Sequence, residues 1–211
     1  MIAAASAGVP VAWLVARAAG LIAFGLLTLS VWLGLAMSTR LLAPRRQKEL
    51  LGWHQTLIWT GLGMVVLHGG ALLLDPTLHF GFTAVLVPGA APWRPIAVAA
   101  GVVTAWLMLT LALSFRARRR IGQRYWRLLH YASFAGFALG LGHALSVGTD
   151  VRGGMGLLVA VLAAGPVLWL TFARILMPRA LARPAQSAPP ASATPSAAAE
   201  PAPRPAPPVP V

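Results

Sequence analysis

Two pairs of histidines lie inside apolar stretches of this 211-residue chain. His54 and His68 share one stretch, 14 residues apart, and His130 and His143 share another, 13 residues apart. An ionisable side chain is costly in hydrocarbon unless it has a partner. Neutral imidazole is also the side chain that most often ligates metals. The four histidines therefore predict paired metal ligands at two depths of one membrane.

The composition is typical of an integral membrane protein. The chain is 58% hydrophobic and 10% charged, with a mean hydropathy of +0.74, values outside the range of soluble proteins. It contains no cysteine, which excludes disulfides, Cys-ligated zinc and iron–sulfur ligation. The net charge of +13 comes from short arginine runs between apolar segments. This pattern predicts contact with anionic lipid and no nucleic-acid partner.

Five stretches are long enough to cross a hydrocarbon core of about 30 Å at about 1.5 Å per residue. The sequence therefore predicts an all-α integral membrane bundle of five transmembrane helices. The predicted spans are 17–37, 51–74, 95–115, 128–147 and 153–173. The predicted organisation has three parts: an outer N-terminal segment (1–16), the transmembrane domain (17–177) and a Pro/Ala-rich tail (178–211). Because its composition cannot form a core, we expect the tail to be disordered in the cytoplasm.

The loop charges predict the orientation. Of the 17 Lys and Arg residues, 14 fall in the first loop, the third loop and the C-terminal segment. The positive-inside rule then places the N-terminus outside and the C-terminus inside. The first sixteen residues contain no Lys or Arg, so a cleavable signal is not expected. The richness in Ala, Arg and Pro indicates a GC-rich bacterial genome, and we therefore expect the inner (plasma) membrane.

The second and fourth spans both run outward in this orientation, so their histidines pair by depth. Spacings of 14 and 13 residues correspond to about 21 Å and about 19.5 Å along ideal helices. The rotational positions differ: at about 100° per residue the two histidines of the second span are about 40° apart, and those of the fourth about 140° apart. Gly136, Gly140 and Gly142 lie between the latter two and permit a kink, a tilt or a π-bulge there.

Each depth-matched pair can supply both axial imidazoles to one haem iron. We call His54 and His130 the inner pair, for an inner haem, and His68 and His143 the outer pair, for an outer haem. Two imidazoles leave the iron no open position, which favours electron transfer over oxygen binding. Two alternatives remain open. The histidines can be core residues hydrogen-bonded to neighbouring helices, or two-His sites for zinc or copper, although such metals usually need three or four ligands.

Other residues have weaker interpretations. Arg17 opens the first span at about the depth of His68, where it can neutralise haem propionates or act as a snorkelling boundary arginine. Arg124 and Arg127 offer the same choice at the inner haem. His79 lies in the outer loop, either as an ordinary loop residue or as an acceptor or metal contact.

The local sequences around both pairs carry a family resemblance. The first pair lies in LGWHQTLIWTGLGMVVLHGGALLLDP and the second in RRIGQRYWRLLHYASFAGFALGLGHALSVGTD. These segments, over about 17–150, resemble the ferric reductase-like transmembrane domain, and most closely its small stand-alone bacterial members. That family includes the membrane parts of NADPH oxidases and iron reductases, and the haem-binding subunit of a bacterial methionine sulfoxide reductase system.

The resemblance implies two b-type haems. It assigns His54 and His130 to the inner haem iron and His68 and His143 to the outer one. Oxidases of the family have an arginine at the start of the span before the first histidine pair, in contact with the outer haem, and Arg17 falls at the matching place.

Two departures from the family limit the expected activity. The oxidases carry a second polar residue one turn after the outer ligand, where this chain has Leu72, and no G-x-G-x-x-G phosphate loop occurs. We therefore expect no FAD or NAD(P) domain in this chain and no catalytic residue. The expected function is di-haem electron transfer across the membrane, as a subunit of an oxidoreductase, between a separate donor (a flavoprotein or quinol) and an outer acceptor. The alternative is a non-redox membrane protein such as a metal transporter or a scaffold.

Overall fold

A computed structural model of the chain describes residues 11–39, 46–148 and 154–176. These ranges contain seven α-helices and no strand. The helices are α1 (Val11–Ser38), α2 (Gln47–Leu73), α3 (Phe82–Leu86), α4 (Pro95–Ile121), α5 (Gln123–His130), α6 (Ala132–Val147) and α7 (Gly154–Leu176). Five spans, with α5 and α6 together forming one, are long and apolar enough to cross a membrane. The predicted all-α fold with five membrane-spanning helices is therefore confirmed. The sidedness of the termini stays a prediction, and the predicted tail (178–211) lies outside the described residues.

The surface of the bundle is apolar along the spans. Large side chains such as Val66 (75% exposed), Ile96 (88%) and Leu168 (66%) face outward. Small buried residues at the helix contacts, including Ala19 and Ala23 of α1, allow the backbones to approach closely, as is typical of membrane helices. An apolar exterior around a small-residue interior is suited to lipid, and membrane lipid is the surroundings that this fold requires.

All five membrane-spanning segments are longer than the spans that the sequence predicts, α1 and α4 by the most. The described part of α1 begins at Val11, so Arg17 lies in its second turn and does not open the helix. The helix α4 continues to Ile121 and has Arg118, Arg119 and Arg120 in its last turn. Cations stabilise a helix C-terminus because they face the negative end of the helix dipole.

The fourth span is interrupted directly after His130. The N–H of Tyr131 donates to the carbonyl of Leu128, and the N–H of Phe134 donates to that of Tyr131, both at 3.1 Å. These bonds reach three residues back, as in a 3₁₀ turn, which advances about 120° per residue instead of about 100°. Three such residues reduce the expected angle between His130 and His143 from about 140° to about 80°. A tight turn at Tyr131 thus recovers part of the alignment.

The outer loop between α2 and α4 folds into a cap that contains α3. A buried cluster fixes it on the bundle, formed by Phe80, Ala84, Ala91, Val98 and Val102. Leu72 and Val147 pack against this cluster, and the Arg94 guanidinium donates to the Ser146 carbonyl at the end of α6. The cap therefore ties the outer ends of α2, α4 and α6 together.

Asp75 shapes the start of this cap. Its Oδ1 accepts hydrogen bonds from the N–H (2.8 Å) and the hydroxyl (2.5 Å) of Thr77. Burial raises the pKa of the Asp75 carboxyl, but the hydrogen bonds lower it by more, so the net pKa lies below its usual value. The residue therefore stays ionised and fixes the turn that follows α2.

Candidate cofactor site

The structure brings the four membrane histidines together as two facing pairs. The ring centres of His54 and His130 are 6.3 Å apart, and those of His68 and His143 are 6.4 Å apart. Both His54 and His68 project from the uninterrupted helix α2. Their partners come from the two halves of the fourth span, His130 at the end of α5 and His143 in α6. Each pair therefore joins the same two membrane spans at a different depth.

The spacing of each pair fits one metal between two imidazoles. A metal–imidazole nitrogen bond of about 2.0–2.1 Å puts the ring centre about 3.2 Å from the metal. Two rings on opposite sides of one metal are then about 6.4 Å apart. The measured values of 6.3 and 6.4 Å agree with this spacing at both depths. The donor set fits a haem iron, because a porphyrin leaves two axial positions and each pair offers two imidazoles.

Three of the four histidines have one ring nitrogen fixed by a backbone carbonyl. The Nδ1 atom of His54 lies 2.9 Å from the Ser30 carbonyl oxygen, and that of His68 lies 2.6 Å from the Ala16 carbonyl oxygen. A third bond joins His143 Nδ1 to the carbonyl of Ala97 at 2.8 Å. A carbonyl only accepts, so Nδ1 must carry the hydrogen in each ring. The lone pair of the neutral ring is then on Nε2, as a metal ligand of this kind requires.

A glycine one turn after each of these carbonyls makes room for the ring. A Cβ on Gly20 would lie 2.9 Å from His68 Nδ1, one on Gly34 would lie 3.3 Å from His54 Cε1, and one on Gly101 would lie 2.7 Å from His143 Nδ1. Each of these three histidines therefore lies close against the backbone of a neighbouring helix. We call each combination of a carbonyl and the glycine four residues later a carbonyl–glycine cradle: Ala16 with Gly20, Ser30 with Gly34, and Ala97 with Gly101.

The cradles are the functional feature that sequence reasoning missed, although a signal for them exists. Gly20 and Gly34 are 14 residues apart on α1, the same spacing as His54 and His68 on α2. Because α1 and α2 are antiparallel neighbours, equal spacings bring both glycines opposite both histidines. A search for small residues at the histidine spacing on adjacent spans would have identified the two cradles of α1.

His130 has a different environment from the other three. Its Nδ1 is buried and has no hydrogen-bond partner among the described residues, and the same is true of Trp126 Nε1. The two rings are stacked, with centres 5.0 Å apart and an interplanar angle of 24°. Stacking on Trp126 thus takes the place of a cradle. The inner pair is held by one backbone carbonyl, whereas the outer pair is held by two.

The inner pair borders a cavity of about 470 Å³, within the range of about 300–1,000 Å³ typical of cofactor sites. Its walls come from α1, α2, α4, α5, α6 and α7 and are mostly apolar, but the Ser30 hydroxyl lies beside His54, 2.9 Å from its Nδ1. The polar part of the lining includes Arg116, Arg127 and Arg174. The cavity can therefore hold a flat apolar body with anionic groups at its charged end.

The other residues that the sequence suggests as haem or metal contacts differ in their positions. Arg17 is half-buried with its guanidinium 4.7 Å from the centre of the Trp13 ring, and it is adjacent in sequence to Ala16, whose carbonyl holds His68. Arg127 lines the inner cavity, whereas Arg124 does not. His79 is exposed in the outer loop with a positive φ of 51°.

Within residues 11–39, 46–148 and 154–176, no group of three or more His, Cys, Asp or Glu side chains is placed to hold a metal ion. A zinc or copper ion at either histidine pair would therefore have only two protein ligands from this part of the chain.

The chain matches no family model, no curated protein and no solved structure. Its likeness to the ferric reductase-like domain stays a prediction from the histidine motifs.

Proposed function

We propose that this chain is a di-haem b-type cytochrome that passes electrons across the membrane. The observation that carries the proposal is the spacing of the two histidine pairs, 6.3 and 6.4 Å between ring centres, because both values match two axial imidazoles on one iron. The carbonyl bonds to His54, His68 and His143 support it further, since they favour the tautomer in which Nε2 is free to ligate.

The protein's own residues have three tasks in this proposal. The histidine pairs hold one haem b each, His54 with His130 and His68 with His143, and when bound the haems supply one-electron redox chemistry. The cradles orient the imidazoles, and the apolar spans exclude water from the sites. The 14-residue separation on α2 divides the crossing into steps of about 21 Å or less, which is the physical reason for two sites.

A reduced-minus-oxidised spectrum and a haem assay of the purified protein test the proposal. We expect two haems per chain and the spectrum of a low-spin, six-coordinate iron, because each histidine pair would supply two imidazoles to one haem iron. A preparation with full-length folded protein and no haem absorbance would contradict the proposal. It would favour the second class, a non-redox membrane protein in which the histidines are structural.

The redox partners follow from where the sites lie. With the orientation that the loop charges predict, the inner pair is near the cytoplasm of a bacterial plasma membrane, and the outer pair is near the opposite face. We propose a separate flavoprotein or quinol as the donor and a redox protein or ferric iron on the outer side as the acceptor. The chain would then be the membrane subunit of an oxidoreductase and not a complete enzyme.

The variant Arg17→Gln is expected to lower the midpoint potential of the outer haem by tens of millivolts. A cation near the propionates stabilises the more negative, reduced state. At an effective dielectric of about 20 and a separation of about 8 Å, the interaction is about 2 kcal/mol, equivalent to at most about 90 mV for a one-electron couple. A redox titration measures the shift, with the inner haem of the same protein as the control. An unchanged outer potential with full haem loading would mean that Arg17 is an interface anchor only.

A further inference from the structure

The charged end of the inner cavity has an unbalanced set of cations. Arg116, Arg127 and Arg174 all line this cavity, and among the residues that the structure describes no Asp or Glu lines it. Arg116 also lies over the Trp59 ring, 5.1 Å from its centre, which orients the guanidinium without neutralising it. Cationic groups around a partly enclosed, low-dielectric cavity attract an anionic ligand.

Two side-chain hydrogen bonds orient Arg174. Its Nη1 donates to the Ser38 hydroxyl at 3.1 Å, and its Nη2 donates to the Tyr131 hydroxyl at 3.0 Å. These bonds connect α7 with the end of α1 and with the turn between α5 and α6. Arg174 is exposed and both partners are neutral, so these bonds orient the guanidinium without neutralising its charge.

The same cavity contains a second sign of a missing hydrogen-bond partner. Trp126 lines the cavity, and its buried Nε1–H donates to no acceptor among the described residues. A buried donor without an acceptor is energetically costly. An occupant that brings oxygen acceptors into the cavity would relieve this cost and would meet the arginines at the same time.

We infer that Arg174 binds a carboxylate of the tetrapyrrole held between His54 and His130, with Arg116 and Arg127 as additional cations. This inference rests on the proposed function. It makes the fifth span part of the cofactor site, although that span contributes no histidine. Anionic oxygens at this position have two sources, a haem propionate or the phosphate of a membrane lipid, and the inference commits to the propionate.

The experiment measures haem release from the purified full-length protein to a soluble haem-scavenging protein, followed by absorbance. The variant Arg174→Gln is expected to release one of its two haems about tenfold faster than the unmodified protein, because one charge-assisted hydrogen-bond donor is lost. The matched control is Arg119→Gln, an exposed arginine of α4 that does not line the cavity. It removes the same charge from the same face and is expected to leave both release rates unchanged.

Reconstitution with haem dimethyl ester, whose carboxylates are uncharged, identifies the ligand. The ester is expected to leave the unmodified protein faster than haem does, and Arg174→Gln should not accelerate its release further. Equal sensitivity of haem and ester to Arg174→Gln would overturn the inference and would point to a lipid phosphate or a structural role. Identical haem release from Arg174→Gln and the unmodified protein would overturn it as well.

Two further variants keep the test decisive if Arg174→Gln does not assemble. Arg174→Lys keeps the charge and loses the fork of donors, and Tyr131→Phe keeps Arg174 and removes one of its two fixed partners. Both are expected to accelerate release of the same haem by a smaller factor, and unchanged release in both would overturn the inference. An unmodified protein that binds no haem would instead contradict the proposed function itself, so the two failures are distinguishable.

Discussion

Replacement of His68 by Ala is expected to reduce the haem content of the purified protein from two per chain to one. His68 and His143 face each other at 6.4 Å, so in the proposed di-haem protein the variant would leave the outer iron with a single protein ligand. The inner pair lies about 21 Å away along α2 and shares no ligand with the outer pair. The variant His130→Ala is expected to remove the other haem for the same reason. Haem assay against protein concentration gives the ratio in each case.

The fifth histidine provides the matched control for this experiment. His79 is exposed in the outer loop and has a positive φ of 51°, a conformation that Asn tolerates well. The variant His79→Asn should therefore keep both haems. Two low-spin haems remaining in His68→Ala, or a ratio near one in the unmodified protein, would contradict the assignment of one haem to each pair.

The two sites are not equivalent, and the difference predicts their order of loss. The outer histidines are both held by backbone carbonyls, of Ala16 and Ala97. At the inner site His54 is held in this way, but His130 has an unpartnered Nδ1. Because a fixed second nitrogen orients a metal ligand and raises its basicity, we expect the inner haem to be the more easily lost of the two in both the unmodified protein and its variants.

The sequence alone predicts the membrane spans and the depths of the histidines, because each of these features depends on a single physical rule. Apolar length predicts membrane spans, and all five were found, with boundaries that differ from the helices by a few residues in most cases. Pairing by depth follows from helix rise alone, and the structure does bring His54 beside His130 and His68 beside His143. Haem binding by these pairs stays a prediction.

Other features depend on contacts that a one-dimensional pattern does not contain. Local hydrogen bonds around Tyr131 change the rotation between His130 and His143, whereas the sequence offers three glycines as more obvious places for a bend. The position of Arg174 beside Tyr131 depends on how α7 packs, since the two residues are 43 positions apart. Arg127, which was considered at the sequence level, does line the cavity, whereas Arg124 does not. These features require the tertiary arrangement, in which helices distant in sequence meet.

The variant Gly101→Ala is expected to impair the outer site with almost no change at the inner one. A Cβ at this position would lie 2.7 Å from both Nδ1 and Cε1 of His143, closer than real Cβ contacts allow. The ring must therefore move, and its bond to the Ala97 carbonyl is strained or lost. Overpacking costs about 1–3 kcal/mol, and loss of a partner to a metal-ligating histidine reduces affinity about 10–100-fold. The measurement is haem release or haem content, resolved for the two sites.

Glycines elsewhere in the same spans separate this steric effect from a general effect of the substitution. A Cβ on Gly25 of α1 or on Gly142 of α6 would meet no atom within 4 Å, and Ala is a better helix former than Gly by about 1 kcal/mol. Gly25→Ala and Gly142→Ala should therefore keep both haems and be as stable as the unmodified protein or slightly more so. The distance from the added Cβ to the nearest ring atom further predicts a graded series. Gly101→Ala is expected to be the most damaging, and Gly20→Ala (2.9 Å) to have an intermediate effect on the same outer haem. Gly34→Ala (3.3 Å) is expected to have a mild effect on the inner haem. Equal losses in all five variants would show that glycine matters here for helix packing in general, and that the cradles do not position the histidines.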